Sequence, residues 1–245
     1  MLGKKFLVVM AAMSIFNLSN VNFDENINFT SKVYAASNSE LAEQKVDEGL
    51  QLYNQRDYEG SVAKFTEAIK INPKYADAYY YRGHTYNLLS KFEKSIKDYD
   101  KAIELNPNFA EAYNERGMAY ECLKKYEKAL ADYSKAIEIN PNYYQAYSNR
   151  GFLYIYFKKY SKAINDYTKI IEINPKSSMG YSCRGLVYYD WKKYDKAIAD
   201  YTKSIELEPN SALNYQSRGL CYKELGENEK ADADFAKAKE LGYEE

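Results

Sequence analysis

Histidine and cysteine are scarce in this sequence of 245 residues, which contains one histidine, His84, and three cysteines. One histidine cannot form a multi-histidine metal site, and a serine or cysteine nucleophile that needs a histidine base would have to use His84. The cysteines, Cys122, Cys183 and Cys221, are too few for a disulfide scaffold and form no C-x-x-C pair. We therefore predict no enzyme activity, no metal and no cofactor.

An excess of charge of either sign is also missing. The chain carries 34 basic and 35 acidic side chains, a formal net charge of −1. Nucleic-acid-binding proteins show a basic excess, because they neutralise phosphates. The balance of charge therefore predicts no nucleic-acid partner. With no catalytic site to nominate, we also predict no small-molecule substrate. Its 46% hydrophobic content is too high for a disordered chain.

The amino terminus has the order of a secretory signal peptide. Lys4 and Lys5 precede an apolar run at 6–16, and a small-x-small site within 33–37 predicts cleavage after Ala35. The apolar run has 11 residues, whereas crossing a bilayer takes roughly 20. Together with richness in lysine, asparagine, isoleucine and tyrosine, this leader predicts an exported protein of bacterial type.

The leader also leaves an alternative open. About 17 residues separate the apolar run from the cleavage site, which is longer than usual. Residues 1–35 could therefore be retained as a membrane anchor, and only then would the chain contact a membrane. The predicted organisation is a signal peptide at 1–35, a short lead-in at 36–41 and a repeat domain at 42–245.

The five prolines stand 34 residues apart. Numbering each repeat so that proline falls at position 32 places glycine at position 8 and an aromatic residue at position 24 in all six repeats. Apolar positions recur at helical spacing, which predicts two amphipathic helices per repeat, at positions 1–14 and 17–30. Proline after the second helix ends it. The repeats are 42–75, 76–109, 110–143, 144–177, 178–211 and 212–245.

This pattern resembles the tetratricopeptide repeat. The third unit shows it best: AEAYNERGMAYECLKKYEKALADYSKAIEINPNY. The resemblance implies an all-α fold, a right-handed superhelical solenoid of six helix-turn-helix units. It also implies that positions 2, 5, 6, 9, 12 and 13 of each first helix face a concave groove that holds a partner polypeptide. Such units must stack, because one helical hairpin cannot bury its apolar face alone.

Two charged positions change sign together. Position 7 is arginine and position 23 is aspartate in five repeats, but the first repeat has Glu48 and Lys64. The double reversal within one repeat predicts contact inside each repeat, since the two positions lie level across the turn. The alternative is solvated charges without a partner. The predicted pairs are Arg82–Asp98, Arg116–Asp132, Arg150–Asp166, Arg184–Asp200 and Arg218–Asp234.

The groove positions predict where a partner binds. Positions 2, 5 and 6 contain no lysine or arginine, so the family's lysine and arginine clamp for a terminal carboxylate is not expected. Apolar side chains at groove positions of the later repeats predict anchoring contacts, unless Phe152 and Leu186 pack between adjacent first helices. The predicted partner-binding residues are Phe152, Ile155, Tyr156, Leu186, Tyr189, Leu220, His84, Glu111, Glu115 and Glu121.

The last repeat is polar where the others are apolar. Positions 21 and 28 become Asp232 and Lys239, which suits a terminal repeat, and Lys45 replaces tyrosine at position 4 of the first repeat. The sequence thus predicts a non-enzymatic interaction scaffold, monomeric alone, that binds a protein or peptide. The alternative is an envelope-anchored structural or self-associating component with an uncleaved leader.

Overall fold

The protein is all-α in the computed structural model, which describes residues 23–244 and contains no strand in that range. This confirms the fold class expected from the repeat pattern. The helices are α1 (Phe23–Asn54), α2 (Tyr58–Ile71), α3 (Ala76–Leu88), α4 (Phe92–Leu105), α5 (Ala110–Cys122), α6 (Tyr126–Ile139), α7 (Tyr144–Tyr156), α8 (Tyr160–Ile173), α9 (Ser178–Asp190), α10 (Tyr194–Leu207), α11 (Ala212–Glu224) and α12 (Asn228–Glu240).

The helices belong to two compact units, which divide after Leu105. In the first unit, α1 packs on α2 and α3 on α4, while α2 also packs on α3 and joins the two hairpins. In the second unit, α5 to α12 form four hairpins by the same rule, and each second helix packs on the first helix of the next hairpin. A single array over 42–245 stays a prediction.

The helix bounds follow the predicted positions closely in the repeats after the first. In the third repeat, α5 occupies positions 1–13 and α6 occupies positions 17–30, so only the last residue of the first helix differs from the prediction. The second helix ends at Ile139, and the next residue, Asn140, is extended and stands directly before Pro141. A residue before proline avoids the helical conformation, and proline cannot continue the hydrogen-bond ladder.

The first helix is longer than predicted. It has 32 residues and begins at Phe23, although the repeat pattern begins at Ala42. The helix therefore passes without a break through the predicted lead-in and through the predicted cleavage position after Ala35. The basic and apolar parts of the leader, residues 4–16, lie outside the described residues. Cleavage of the leader stays a prediction.

Glycine at position 8 sets how closely the two helices of a repeat approach. A Cβ atom built on Gly117 would lie 2.7 Å from Cε1 of Tyr133, and one on Gly49 would lie 2.6 Å from Cε1 of Phe65. Both rings stand at position 24 and are fully buried. Because a side chain at either of these glycines would collide with the ring, the glycine and the aromatic residue form one packing unit.

The turn between the two helices has a left-handed residue at position 15. Lys124 has φ 58°, Lys158 φ 53° and Lys192 φ 59°, and the last repeat has Gly226 with φ 77° at the same position. In the third repeat, the amide of Lys125 donates to the carbonyl of Tyr120 at 2.8 Å, which closes the end of α5. The sequence suggests this conformation only at Gly226.

We predict that Lys124→Gly stabilises the protein, because glycine adopts positive φ without the steric cost that a lysine Cβ imposes. The expected gain in the free energy of unfolding is about 0.5–1 kcal/mol by urea denaturation. Ala131→Gly, at an exposed site inside α6 of the same repeat, is the control and should cost about 1 kcal/mol. A loss of stability in Lys124→Gly would contradict the prediction.

Candidate functional site

The structure brings together each arginine at position 7 and the aspartate at position 23 of its own repeat. In all five pairs, Nε and Nη2 of the arginine donate to the two carboxylate oxygens over 2.7–2.9 Å. The aspartate side chains are buried. Burial raises the pKa of the Asp166 carboxyl, and the hydrogen bonds from Arg150 oppose that shift. Paired ions of this geometry fix the register of two helices.

The same guanidinium also bonds to the preceding repeat, which the sequence pattern did not reveal. Nη1 of Arg150 donates to Oγ of Ser134 at 3.0 Å, and Nη1 of Arg184 donates to Oγ1 of Thr168 at 3.1 Å. Ser134 donates its own proton to the carbonyl of Leu130, so its oxygen is free to accept. Position 25 is a hydroxyl residue in four repeats, a signal that could have been read: Thr66, Ser134, Thr168 and Thr202.

The first repeat keeps the contact with reversed charges. Nζ of Lys64 lies 2.7 Å from Oε2 of Glu48, and Nζ of Lys45 lies 2.8 Å from Oε1. Hydrogen bonds from Lys45 and Lys64 lower the pKa of Glu48 to about 2. In the second repeat the equivalent of Lys45 is Tyr79, whose ring lies 5.7 Å below the Arg82 guanidinium. Lys45 is thus explained by its ion pair with Glu48, which belongs to the charge reversal of the first repeat. It need not mark the end of the repeat array.

Three of the predicted apolar groove residues are exposed, and the two most exposed of these are aromatic. Phe152 is 58% exposed and Tyr156 is 62% exposed on α7, and Leu186 on α9 is 41% exposed. This exposure favours the groove prediction over the alternative in which Phe152 and Leu186 pack between first helices, most clearly for Phe152. The ring of Tyr156 rests against that of Tyr126, with centroids 5.3 Å apart, and so presents a fixed edge.

Three predicted groove residues are only half-buried, and two of them pack against the core. Ile155 packs against the core around Tyr167, and Tyr189 packs against the core around Tyr201. Leu220 is half-buried on α11. These side chains support the helices beneath the exposed residues and offer less surface to a partner than the prediction assumed.

Sequence reasoning missed three further exposed apolar residues, Met118, Met179 and Leu213. Met118 occupies position 9, and Met179 and Leu213 occupy position 2, which lies two helical turns earlier on the same face. The groove positions themselves could have identified these residues. We name the full set the apolar first-helix patch of the second unit: Met118, Phe152, Tyr156, Met179, Leu186 and Leu213.

The predicted acidic residues differ in how free they are to meet a partner. Glu111 is exposed in the first turn of α5, and Glu115 is half-buried and accepts a long hydrogen bond of 3.4 Å from Asn114. Glu121 accepts a hydrogen bond of 2.9 Å from the buried hydroxyl of Tyr133. Glu121 is therefore already engaged in the fold, and Glu111 is the acidic residue best placed for an external contact.

The structure places His84 in a pocket of the first unit. The pocket has a volume of about 130 Å³, and the His84 ring lies 5.6 Å from that of Tyr53, centroid to centroid. Its lining is aromatic and aliphatic: Leu50, Tyr53, Phe65, Tyr80, Tyr81 and His84.

The described residues offer little for chemistry. In residues 23–244, no group of three or more histidine, cysteine, aspartate or glutamate side chains could hold a metal ion. The three cysteines are free thiols, and burial raises the pKa of Cys221 to about 12, which keeps it protonated. Over the same stretch of chain, no helix combines the length and apolar character needed to cross a membrane.

A family model for the tetratricopeptide repeat matches four consecutive segments, 76–109, 110–143, 144–177 and 178–211, more than half of the chain. The chain belongs to the tetratricopeptide repeat family. Two related tetratricopeptide models match residues 49–90 and 200–233. The resemblance found in the sequence is thereby confirmed. No curated protein matches the chain by sequence.

Solved tetratricopeptide structures share the fold. Pseudomonas aeruginosa pilF aligns with TM-score 0.71 at 18% identity, over 84% of this chain and 94% of its own. A tetratricopeptide protein of Parabacteroides merdae aligns with TM-score 0.70 at 23% identity, over 83% of this chain and 80% of its own. YrrB, described as having an unusual peptide-binding site, aligns with TM-score 0.62 at 22% identity, over 73% and 92%. These identities establish the fold alone.

We predict that reversing one tetratricopeptide ion pair restores much of the stability lost in the single variants. Arg150→Asp and Asp166→Arg should each destabilise, and the double variant should show a coupling energy of about 0.5–3 kcal/mol by urea denaturation. Recovery should be incomplete, because an aspartate at 150 cannot donate to Ser134 as Arg150 does.

The exposed pair Lys169 and Glu172 is the control for this cycle. Its reversal should show a coupling of at most about 0.5 kcal/mol, because exposed pairs spaced three apart contribute little. Additive losses in the Arg150 and Asp166 cycle would contradict the inferred energetic coupling.

Proposed function

We propose that this chain is a non-enzymatic interaction module that binds a partner polypeptide on the apolar first-helix patch of its second unit. The observation that supports this is the exposure of Phe152 and Tyr156, at 58% and 62%. Large aromatic side chains are usually buried, either in the core or against a partner. Apolar surface that stays exposed on a monomer therefore often marks a binding site.

The shape of the patch suits an extended or helical segment. Phe152 and Tyr156 are one helical turn apart on α7, and Leu186 occupies the same position on α9 that Phe152 occupies on α7. A partner would bury an aromatic or aliphatic anchor against these side chains, where most of the binding energy would arise. The peptide-binding site ascribed to YrrB, which has the same fold, supports this proposal.

Charge would orient the partner. Glu111 is exposed on α5 in the same unit as the patch, and no lysine or arginine occupies groove positions 2, 5 or 6. A segment that carries basic residues toward α5 would be attracted before contact, which accelerates association more than it strengthens the final complex. The near-neutral net charge gives no reason to propose a nucleic acid or an anionic membrane as the ligand.

We predict that truncating the patch weakens peptide binding. Peptides selected from a random phage-displayed library on the immobilised full chain should lose about 1–3 kcal/mol of affinity with Phe152→Ala or Tyr156→Ala. Tyr144→Ala removes an exposed tyrosine at the opposite end of α7 and is the matched control. Trp191, which stacks on Tyr160, gives a fluorescence readout. Glu111→Lys should mainly slow association and reduce its salt dependence.

Affinity that survives both alanine substitutions, with the circular dichroism spectrum unchanged, would exclude the patch as the site. The exposed surfaces of the second helices would then be the place to map.

We also propose that the chain is exported and that its leader is removed after Ala35. Support comes from Lys4, Lys5 and the short apolar run in the sequence. Intact-mass spectrometry of the protein from its native host should give a chain that begins at Ala36. A mass that includes residues 1–35 would contradict this and favour the alternative of an envelope-anchored structural component.

A further inference from the structure

The pocket around His84 is built from aromatic rings of three helices. Tyr53 comes from α1, Phe65 from α2, and Tyr80 and His84 from α3. The His84 ring lies 5.6 Å from that of Tyr53 and 6.4 Å from that of Tyr80, centroid to centroid. Aromatic faces carry a negative potential, so a pocket walled by them attracts a cation as well as an apolar chain.

Carboxylates lie on the same helix faces as this pocket. Asp47 stands one turn before Leu50 on α1, and Asp77 stands one turn before Tyr80 and Tyr81 on α3. Both carboxylates act on one pocket residue: burial raises the pKa of Tyr81, and the negative charges of Asp77 and Asp47 raise it further. The negative charges of both helices therefore act on the Tyr81 hydroxyl at this pocket.

From residue 37 onward, the basic side chains of these two helices are engaged in ion pairs with other carboxylates. Between residue 37 and the end of α1, the only lysine or arginine is Lys45, which pairs with Glu48. On α3 the only one is Arg82, which pairs with Asp98. The carboxylates of Asp47 and Asp77 consequently have no counter-ion from α1 beyond residue 36 or from α3.

We propose that this pocket binds a lysine or arginine side chain of the partner polypeptide, with its methylene groups against the rings and its charge beside Asp47 and Asp77. The inference rests on the proposed function, since it names a second anchor point for the same kind of partner. The aliphatic stem of such a side chain suits an apolar pocket, while its charged end suits the carboxylates. A neutral apolar side chain would contact the rings but would place no positive charge beside the carboxylates.

His84 makes the proposal directly measurable, because the only histidine of the chain lines the pocket. Its ring protons are unique signals in an NMR titration at constant pH. We expect N-acetyl-lysine methylamide and N-acetyl-arginine methylamide to shift them in a saturable manner. The nearly isosteric N-acetyl-norleucine methylamide, which lacks the charge, should bind about tenfold more weakly.

Two variants separate charge from fold. The double variant Asp47→Asn with Asp77→Asn should reduce the lysine amide to the affinity of the norleucine amide. Glu93→Gln, at an exposed site on α4, changes charge away from the pocket lining and should leave the tenfold preference intact. Equal binding of the lysine and norleucine amides to the unmodified chain, or unshifted His84 signals with all three amides, would overturn the proposal.

The outcome is independent of the patch in the second unit. Selected peptides that lose affinity in Tyr156→Ala, together with silent His84 signals, would overturn the cation pocket and leave the proposed function standing. Saturable shifts of His84 with the lysine amide, together with a chain that selects no peptide, would keep the pocket as a cation site and exclude the proposed function.

Discussion

A guanidinium group shared between two repeats is the contact on which the described architecture depends. Arg150 binds both oxygens of Asp166 within its own repeat and the hydroxyl of Ser134 in the preceding one. Its guanidinium also lies over the ring of Tyr147, 5.7 Å from the centroid. A planar group with donors on several edges can satisfy these partners together, which a lysine ammonium could not do in the same geometry. Register within and between repeats therefore has a common origin.

The glycine and aromatic pair completes this arrangement by fixing the distance between the helices. Gly117 accepts the ring of Tyr133 so closely that no Cβ fits between them. The buried ring packs in the core of the hairpin, and the ion pair determines which residues lie level with it. Apolar burial is non-directional and stabilises the hairpin without fixing its register. The bidentate ion pair is directional and fixes the register.

The glycine, aromatic, arginine and aspartate positions recur among the repeats, whereas the groove positions of the first helices vary. In the second unit the groove positions carry exposed apolar residues such as Phe152, and in the first unit they include Asp47, Asp77 and the pocket residue His84. The repeated framework accounts for stability, while the variable positions carry the surfaces that we propose for binding. That separation lets a uniform fold present two chemically distinct surfaces.

The sequence alone determined the repeat, its helices and the arginine–aspartate pairs. Each of these features depends on spacing within 34 residues, and the reversal at Glu48 and Lys64 made the pair visible without coordinates. The tertiary structure decided which side chains of the variable face are exposed. Phe152 and Ile155 look alike as apolar groove residues, yet Ile155 packs on the core around Tyr167.

The structure alone also revealed the left-handed backbone at Lys124, the bond from Arg150 to Ser134 and the pocket around His84. The first is hidden because lysine, unlike glycine, gives no sign of positive φ. The hydroxyl residues at position 25 are a signal for the bond, but they do not name its partner, because the bond and the pocket both join atoms of different repeats. Their existence depends on how neighbouring hairpins stack, and periodicity within one repeat contains no information about that distance.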